Sequence, residues 1–124
     1  MQIKESAENY LEAILVIGKE KGFVRSVDVA NHLNFTKPSV SVAMKTFREE
    51  GYILMDPGGG ITLTEKGRAI AERIYERHQV IAKALIALGV SEKQAYDDSC
   101  KIEHDLCDDS FDKIKAYLKK IGVI

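Results

Sequence analysis

No apolar run in this sequence approaches the ~20 residues that a membrane-spanning helix needs. The N-terminal stretch Met-Gln-Ile-Lys-Glu-Ser-Ala-Glu has no apolar core and carries acidic residues, so it does not read as a secretory leader. These two absences predict a cytoplasmic protein with no membrane partner. Internal repeats and low-complexity stretches are also missing, and Pro and Gly only punctuate the chain. Cysteine is scarce: Cys100 and Cys107 are the two present. On one helix their Cα atoms would stand ~10 Å apart at ~1.5 Å rise per residue, beyond the ~7 Å that a disulfide tolerates. Two reduced thiols are expected, at least one of them a candidate metal ligand. An excess of one charge sign is lacking too. Eighteen Lys and Arg face nineteen Asp and Glu, a net charge of −1, so no global basic field marks a nucleic-acid binder.

What is present is an ordinary globular composition, 45% hydrophobic and 30% charged over 124 residues, enough for one core or two small lobes. Charge is distributed unevenly. Residues 97–112 hold Asp97, Asp98, Glu103, Asp105, Asp108, Asp109 and Asp112 against Lys101 alone. Such a segment repels phosphate and attracts cations, and it is equally the pattern of a solvated acidic helix face.

Hydrophobic periodicity orders the chain. Ala7, Leu11, Ile14 and Leu15 predict a helix over 6–18, and Gly22 ends that region. Ser26 is the expected N-cap of a short second helix carrying Val29, Ala30 and Leu33, followed by a tight turn at Asn34 and Phe35. A third helix is expected from near Thr36 to Glu50, stopping at Gly51, with Pro38 in its first turn where no N–H is needed. Val40, Ala43 and Phe47 fall on its apolar side. Tyr52-Ile53-Leu54-Met55 and Ile61-Thr62-Leu63-Thr64 flank the Gly-rich tip Asp56-Pro57-Gly58-Gly59-Gly60, the pattern of a β-hairpin. Thr64 caps a long fourth helix running to Gly89. Ser91 caps a fifth that covers the acidic segment, and Asp108 or Asp109 opens a sixth with Phe111, Ile114, Tyr117, Leu118 and Ile121 as its stripe. The expected fold is mainly α with a small β-hairpin wing: a winged helix-turn-helix over 1–72 and a helical domain over 73–124.

Two constellations carry chemistry. The 36–50 helix has an apolar face to anchor it and a polar face bearing Lys37, Ser41, Lys45 and Arg48, which a helix in the major groove requires. Lys37 and the first-turn backbone around Pro38 and Ser39 suit a phosphate; Ser41 and Lys45 suit base edges, and Arg48 suits phosphate or guanine. The wing tip has no Lys or Arg and offers only backbone N–H groups. The second constellation is Cys100, Glu103 and His104 at i, i+3 and i+4, which share one helical face. Thiolate, carboxylate and imidazole suit a borderline transition metal better than Mg²⁺ or Ca²⁺. Cys107, at i+7, adds a fourth candidate on the same stripe. His78 on the fourth helix and Glu12 on the first are further candidates that only the fold can bring in, each otherwise an ordinary partly exposed helical residue.

At this point the sequence resembles a known family, the iron- and manganese-dependent repressors typified by the diphtheria toxin repressor and the manganese transport regulator. The resemblance covers essentially the whole chain. It rests on Glu8-Asn9-Tyr10-Leu11-Glu12, Ser39-Val40-Ser41, Leu63-Thr64-Glu65-Lys66-Gly67, Tyr75-Glu76-Arg77-His78 and Cys100-Lys101-Ile102-Glu103-His104-Asp105-Leu106. It implies a metal site between a DNA-binding and a dimerisation lobe, with Glu12, His78, Cys100, Glu103 and His104 as ligands. Asn9 stands where the manganese sensors have Asp and the iron sensors Met, and offers a carbonyl oxygen. Cys100 matches the iron type and Glu12 the manganese type, so the implied site is a hybrid. Ala82 and Tyr96 occupy the places of an ancillary iron-type site, which is expected to be lost. The chain ends at Ile124, so the SH3-like third domain of the iron type and the last helix of the manganese type are expected to be missing.

The expected function is therefore that of a homodimeric repressor that binds a double-stranded DNA operator when Mn²⁺ or Fe²⁺ is bound, with Zn²⁺ or Co²⁺ able to substitute in vitro, and that controls metal-homeostasis genes. The competing reading is a metal-independent winged-helix regulator answering to a small organic ligand. No substrate pocket or spare general base is evident, so neither enzymatic activity nor a small-molecule substrate is expected.

Overall fold

The computed structural model describes the backbone of residues 5–124 and the side chains from Ser6 onward. Residues 1–4, part of the stretch argued above not to be a leader, lie outside the described residues. The described elements are α1 (Glu5–Lys21), α2 (Ser26–Leu33), α3 (Lys37–Glu49), β1 (Ile53–Met55), β2 (Ile61–Leu63), α4 (Glu65–Ala87), α5 (Glu92–Ile102) and α6 (Asp108–Lys120). The chain divides into two units, one running to Arg73 and the other from Ile74 to Ile124, so the division falls within α4. No helix among the described residues is long and apolar enough to cross a membrane.

In the first unit, α1 extends one turn beyond the expected 6–18 span and ends at Gly22, whose φ of +83° an L side chain rarely adopts. Leu11, Ile14, Leu15, Val29, Val40, Met44 and Ile53 form the core. The third buried side chain on α3 is Met44; Ala43, expected there, is only half-buried. Tyr10 stands between Phe35 and Phe47 at ring separations of 5.5 and 5.6 Å, and Phe47 meets Tyr52 edge-on at 6.3 Å, so an aromatic row ties α1, α3 and the hairpin root. Asn34 adopts the left-handed conformation at φ 58°, which lets the chain turn sharply from α2 toward α3.

The cap of α2 differs from expectation. Ser26 is the first helical residue, and Arg25 is the N-cap. Asp28 supplies the missing acceptor: its carboxylate accepts the Arg25 N–H at 2.9 Å and pairs with Lys21 at 2.9 Å. Those partners hold the Asp28 carboxyl below the usual aspartate range, Lys21 first and the Arg25 N–H second. The α3 helix begins beside Thr36, as expected, and Thr36 caps it by accepting the Ser39 N–H.

β1 and β2 pair antiparallel with Ile53 opposite Leu63 and Met55 opposite Ile61. Ile61 also donates its N–H to the Val24 carbonyl at 2.8 Å, fastening the hairpin to the loop before α2. Thr64 fixes the hairpin root to α4 by donating its hydroxyl to the Gly51 carbonyl at 2.7 Å and accepting the Gly67 N–H at 3.2 Å. Gly67 packs so close to the hairpin that a Cβ there would lie 2.1 Å from the Tyr52 carbonyl oxygen.

In the second unit, Val80, Ile81, Phe111 and Leu118 form a core, with Leu85, Ile114 and Val123 packed against it. Ser91 caps α5 by accepting the Gln94 N–H, as expected. The α5 helix stops at Ile102, however, with Glu103 as C-cap and a turn through Asp105. It therefore covers only the first part of the acidic segment, with Asp97 and Asp98, and Cys107 does not continue its stripe. Cys107 is instead the N-cap of α6, its sulfur accepting the Ser110 N–H at 3.5 Å. The two free cysteines thus sit on different elements. Of the expected apolar stripe of α6, Phe111 and Leu118 are buried, whereas Tyr117 and the C-cap Ile121 are 60% and 50% exposed.

Candidate metal centre and nucleic-acid interface

The second unit gathers His78, Cys100, Glu103 and His104. His78 lies on α4, with Nε2 3.0 Å from the Tyr96 carbonyl. A carbonyl only accepts, so Nε2 carries a proton, and in the neutral ring Nδ1 holds the lone pair. The Ser99 hydroxyl donates to the same carbonyl at 3.0 Å, and the Tyr96 ring meets the imidazole edge-on at 5.8 Å. The ring is thereby held in one tautomer and orientation, the usual outer-shell arrangement of a metal-binding histidine. Its Nδ1 lies 3.8 Å from the Cys100 sulfur, and one ligating atom each of His78 and Glu103 lies within 4.8 Å of the other.

Glu103 is 1% exposed, although it lies in a segment that reads as solvated. Its N–H still bonds the Ser99 carbonyl at 3.0 Å, which continues the helical direction one residue past Ile102 and keeps Glu103 on the face of Cys100. The carboxylate lies 3.5 Å from the His104 Nε2, and the His104 side chain is 4% exposed. A carboxylate removed from water this completely needs a cationic or hydrogen-bonding partner, because an isolated buried charge is strongly unfavourable. Imidazole nitrogen and buried carboxylate oxygen lie close enough to share an ion. Cys100, by contrast, is exposed, with His78 as its neighbour, and His104 contacts the Glu103 carboxylate. Imidazole, carboxylate and thiol together are a donor set that fits a borderline divalent metal.

Of the other expected ligands, Glu12 and Asn9 belong to α1 in the first unit, three residues apart and so on one helix face. Glu12 is buried and Asn9 half-buried. In the ancillary positions, Ala82 is buried in full and Tyr96 donates its hydroxyl to Gln79 at 3.1 Å. Cys107 is turned to its capping role. The Ser110 hydroxyl, with the Ser110 N–H behind it, holds its thiol below the ordinary range.

On α3, Lys37, Pro38, Ser39, Ser41, Lys45 and Arg48 are all exposed. Ser39 has a local role as well: its N–H and its hydroxyl oxygen are both engaged by Thr36, the latter at 2.8 Å. Sequence reasoning missed Val42, which is 67% exposed among these polar residues, an apolar group of the kind that meets a thymine methyl. Its signal was an apolar residue out of phase with Val40, Met44 and Phe47. At the wing tip Asp56 accepts the Gly60 N–H at 2.8 Å, so the acidic side chain folds back over the glycines.

The model of the iron dependent repressor N-terminal DNA binding domain matches residues 2–61, and that of the iron dependent repressor metal binding and dimerisation domain matches residues 64–123. The chain belongs to the iron dependent repressor family. An HTH-type transcriptional regulator of Methanocaldococcus jannaschii is 35% identical over 120 residues, covering 95% of this chain and 96% of its own length. The transcriptional regulator MntR of Escherichia coli is 33% identical over 119 residues, 96% of this chain and 77% of that one. A manganese-dependent transcriptional repressor, solved in complex with manganese, superposes with a TM-score of 0.82 at 25% identity, over 91% of this chain. The match spans 52% of that longer chain. The fold of this family member is thus a winged helix-turn-helix followed by a helical metal-binding and dimerisation domain, and it is the metal-responsive reading that the family membership supports over the small-ligand alternative.

Proposed function

We propose that this family member is a homodimeric transcriptional repressor that binds a DNA operator in response to Mn²⁺ or Fe²⁺, and that it controls genes of metal homeostasis. The observation that carries this reading is the fixed His78 imidazole, its Nδ1 lone pair facing the Cys100 sulfur beside the buried Glu103 carboxylate. The metal ligands are His78, Cys100, Glu103 and His104 of the second unit, completed by Glu12 and Asn9 of α1 as the family resemblance implies. When bound, the metal supplies positive charge beside the buried Glu103 carboxylate. The chain's own residues do the rest: Tyr96 and Ser99 orient His78, and Glu103 presents a desolvated carboxylate.

Lys37, Lys45 and Arg48 supply phosphate and base contacts, with Pro38, Ser39 and Ser41 in the first turns. The functional domains are 1–72 for DNA and 73–124 for metal and dimer. Exposed apolar groups in the second unit, Leu88 at 83% with Tyr117 and Ile121, support self-association. The protein acts by coupled binding rather than by catalysis, in the cytoplasm, where its thiols stay reduced. Metal tightens DNA binding, and DNA must tighten metal binding by the same factor.

Selection of binding sites from a random duplex pool in the presence of Mn²⁺ tests the reading. Recovered sites should be two-fold symmetric, and binding to them should collapse on chelation and return with Mn²⁺ or Fe²⁺. Retention that ignores both chelator and metal would overturn it.

A further inference from the structure

Arg77 is the most deeply buried cation described in the second unit, at 3% exposure. One terminal nitrogen of its guanidinium donates to the Glu103 carbonyl at 2.8 Å and also to the Leu106 carbonyl. The other pairs with the Asp108 carboxylate at 3.0 Å. The guanidinium carbon lies 5.0 Å from the centroid of the Phe111 ring. Among the described residues its Nε has no hydrogen-bond partner and Asp108 is the one carboxylate it pairs with. A buried guanidinium so placed is a poor way to gain stability, since an apolar side chain of similar volume often does as well. What the arrangement does achieve is geometric. A rigid planar fork on α4 grips both ends of the turn between α5 and α6, and that turn carries Glu103 and His104. Arg77 also directly precedes His78 in the chain. One residue therefore sets where two separate ligand-bearing segments stand relative to each other.

We propose that Arg77 is a positioning residue of the metal centre, holding the Glu103–Leu106 turn so that the Glu103 carboxylate faces His78. This rests on the metal reading above. Without the fork, the turn loses both carbonyl anchors, the carboxylate no longer has a fixed approach, and the metal must order the turn as it binds. Outer-shell partners of this kind are worth 10–100-fold in metal affinity.

Co²⁺ titration of the full-length protein, followed by its visible absorption, tests the assignment. Arg77→Met should bind Co²⁺ about 10–100-fold more weakly, with a saturated spectrum displaced from that of the unaltered protein because the carboxylate enters at a different angle. Arg77→Lys, which retains the charge and some of the donors but not the planar fork, should fall between the two. Leu118→Ala serves as the comparison. It weakens the same core from α6 and leaves the Arg77 hydrogen bonds to the turn in place, so it should keep both the affinity and the spectrum even where its urea midpoint falls as far as that of Arg77→Met. Wild-type affinity and spectrum in Arg77→Met would overturn the positioning role, as would an equal loss in Leu118→Ala. Failure of the unaltered protein to take up Co²⁺ or Mn²⁺ would overturn the metal reading itself, and this proposal with it.

Discussion

The Nε2–H of His78 and the carbonyl of Tyr96, 3.0 Å apart, leave Nδ1 as the nitrogen of that imidazole that faces the Cys100 sulfur. A histidine free to flip would present either nitrogen, and a protonated one would repel a metal. Here a main-chain acceptor within α5 makes the choice before any ligand arrives.

The first prediction concerns the ligands. Replacing His78 by Ala and Glu103 by Gln together should abolish the response of DNA binding to Mn²⁺, with a loss greater than the 10–100-fold expected of outer-shell changes. Calorimetry with Mn²⁺ checks it independently of DNA. At metal concentrations of about 100 times Kd the unaltered protein should gain about 2.7 kcal/mol in stability, and the double variant should gain none.

Lys45 provides the second. It is exposed on α3, on the face proposed above to meet DNA. Lys45→Ala should weaken binding and, if the ammonium meets a phosphate, lower the slope of log K against log salt by about one. A salt titration in which neither affinity nor slope moves would remove Lys45 from the interface.

Gly67 provides the third. A Cβ there would lie 2.1 Å from the Tyr52 carbonyl oxygen, and the obstacle is main chain rather than a side chain that can swing away. Gly67→Ala, although it favours helix intrinsically, should destabilise the first unit by about 1–3 kcal/mol through overpacking. Urea denaturation measures this, and Gly58→Ala, whose Cβ would meet only the Asp56 carboxylate at 3.4 Å, gives the contrast.

Asp28 provides the fourth, through pH. Its carboxyl is held below the ordinary aspartate value by Lys21 and by the Arg25 N–H. A carboxyl whose pKa falls on folding contributes stability in full above its unfolded value of about 3.9, and that contribution disappears as pH falls through the lowered folded value. Asp28→Asn should therefore be less stable than the unaltered protein at neutral pH. The gap should narrow in acid, as followed by thermal melts between neutral pH and about pH 2.

Much of the architecture could be read directly from residue pattern. Thr36, Thr64 and Ser91 mark three helix starts because a short side-chain oxygen has a single local job there. The β-prone runs around Asp56–Gly60 mark the hairpin for a similarly local reason. The end of α5 could not be read. Helical spacing runs on from Cys100 through Glu103 and His104 to Cys107 with no Gly or Pro to stop it. Past its end the Glu103 and Leu106 carbonyls are bonded by Arg77, 26 residues before Glu103. No local signal records a long-range contact of this kind. Cys107 as a helix cap is illegible for a related reason, since sulfur is a weak acceptor and seldom fills that position. Spacing did place Cys100 and Glu103 on one face, because the helical direction persists to Glu103. The burial of Glu103 was not foreseeable, because a run of neighbouring aspartates makes it look like one more solvated charge.

The hairpin, finally, is stitched at its root by Thr64, which grips Gly51 and the first turn of α4 at once, and along its side by the bond from Ile61 to Val24. A wing fastened in this way is already shaped before any partner arrives, and the loss of freedom that a floppy loop would suffer on binding has been taken at folding instead.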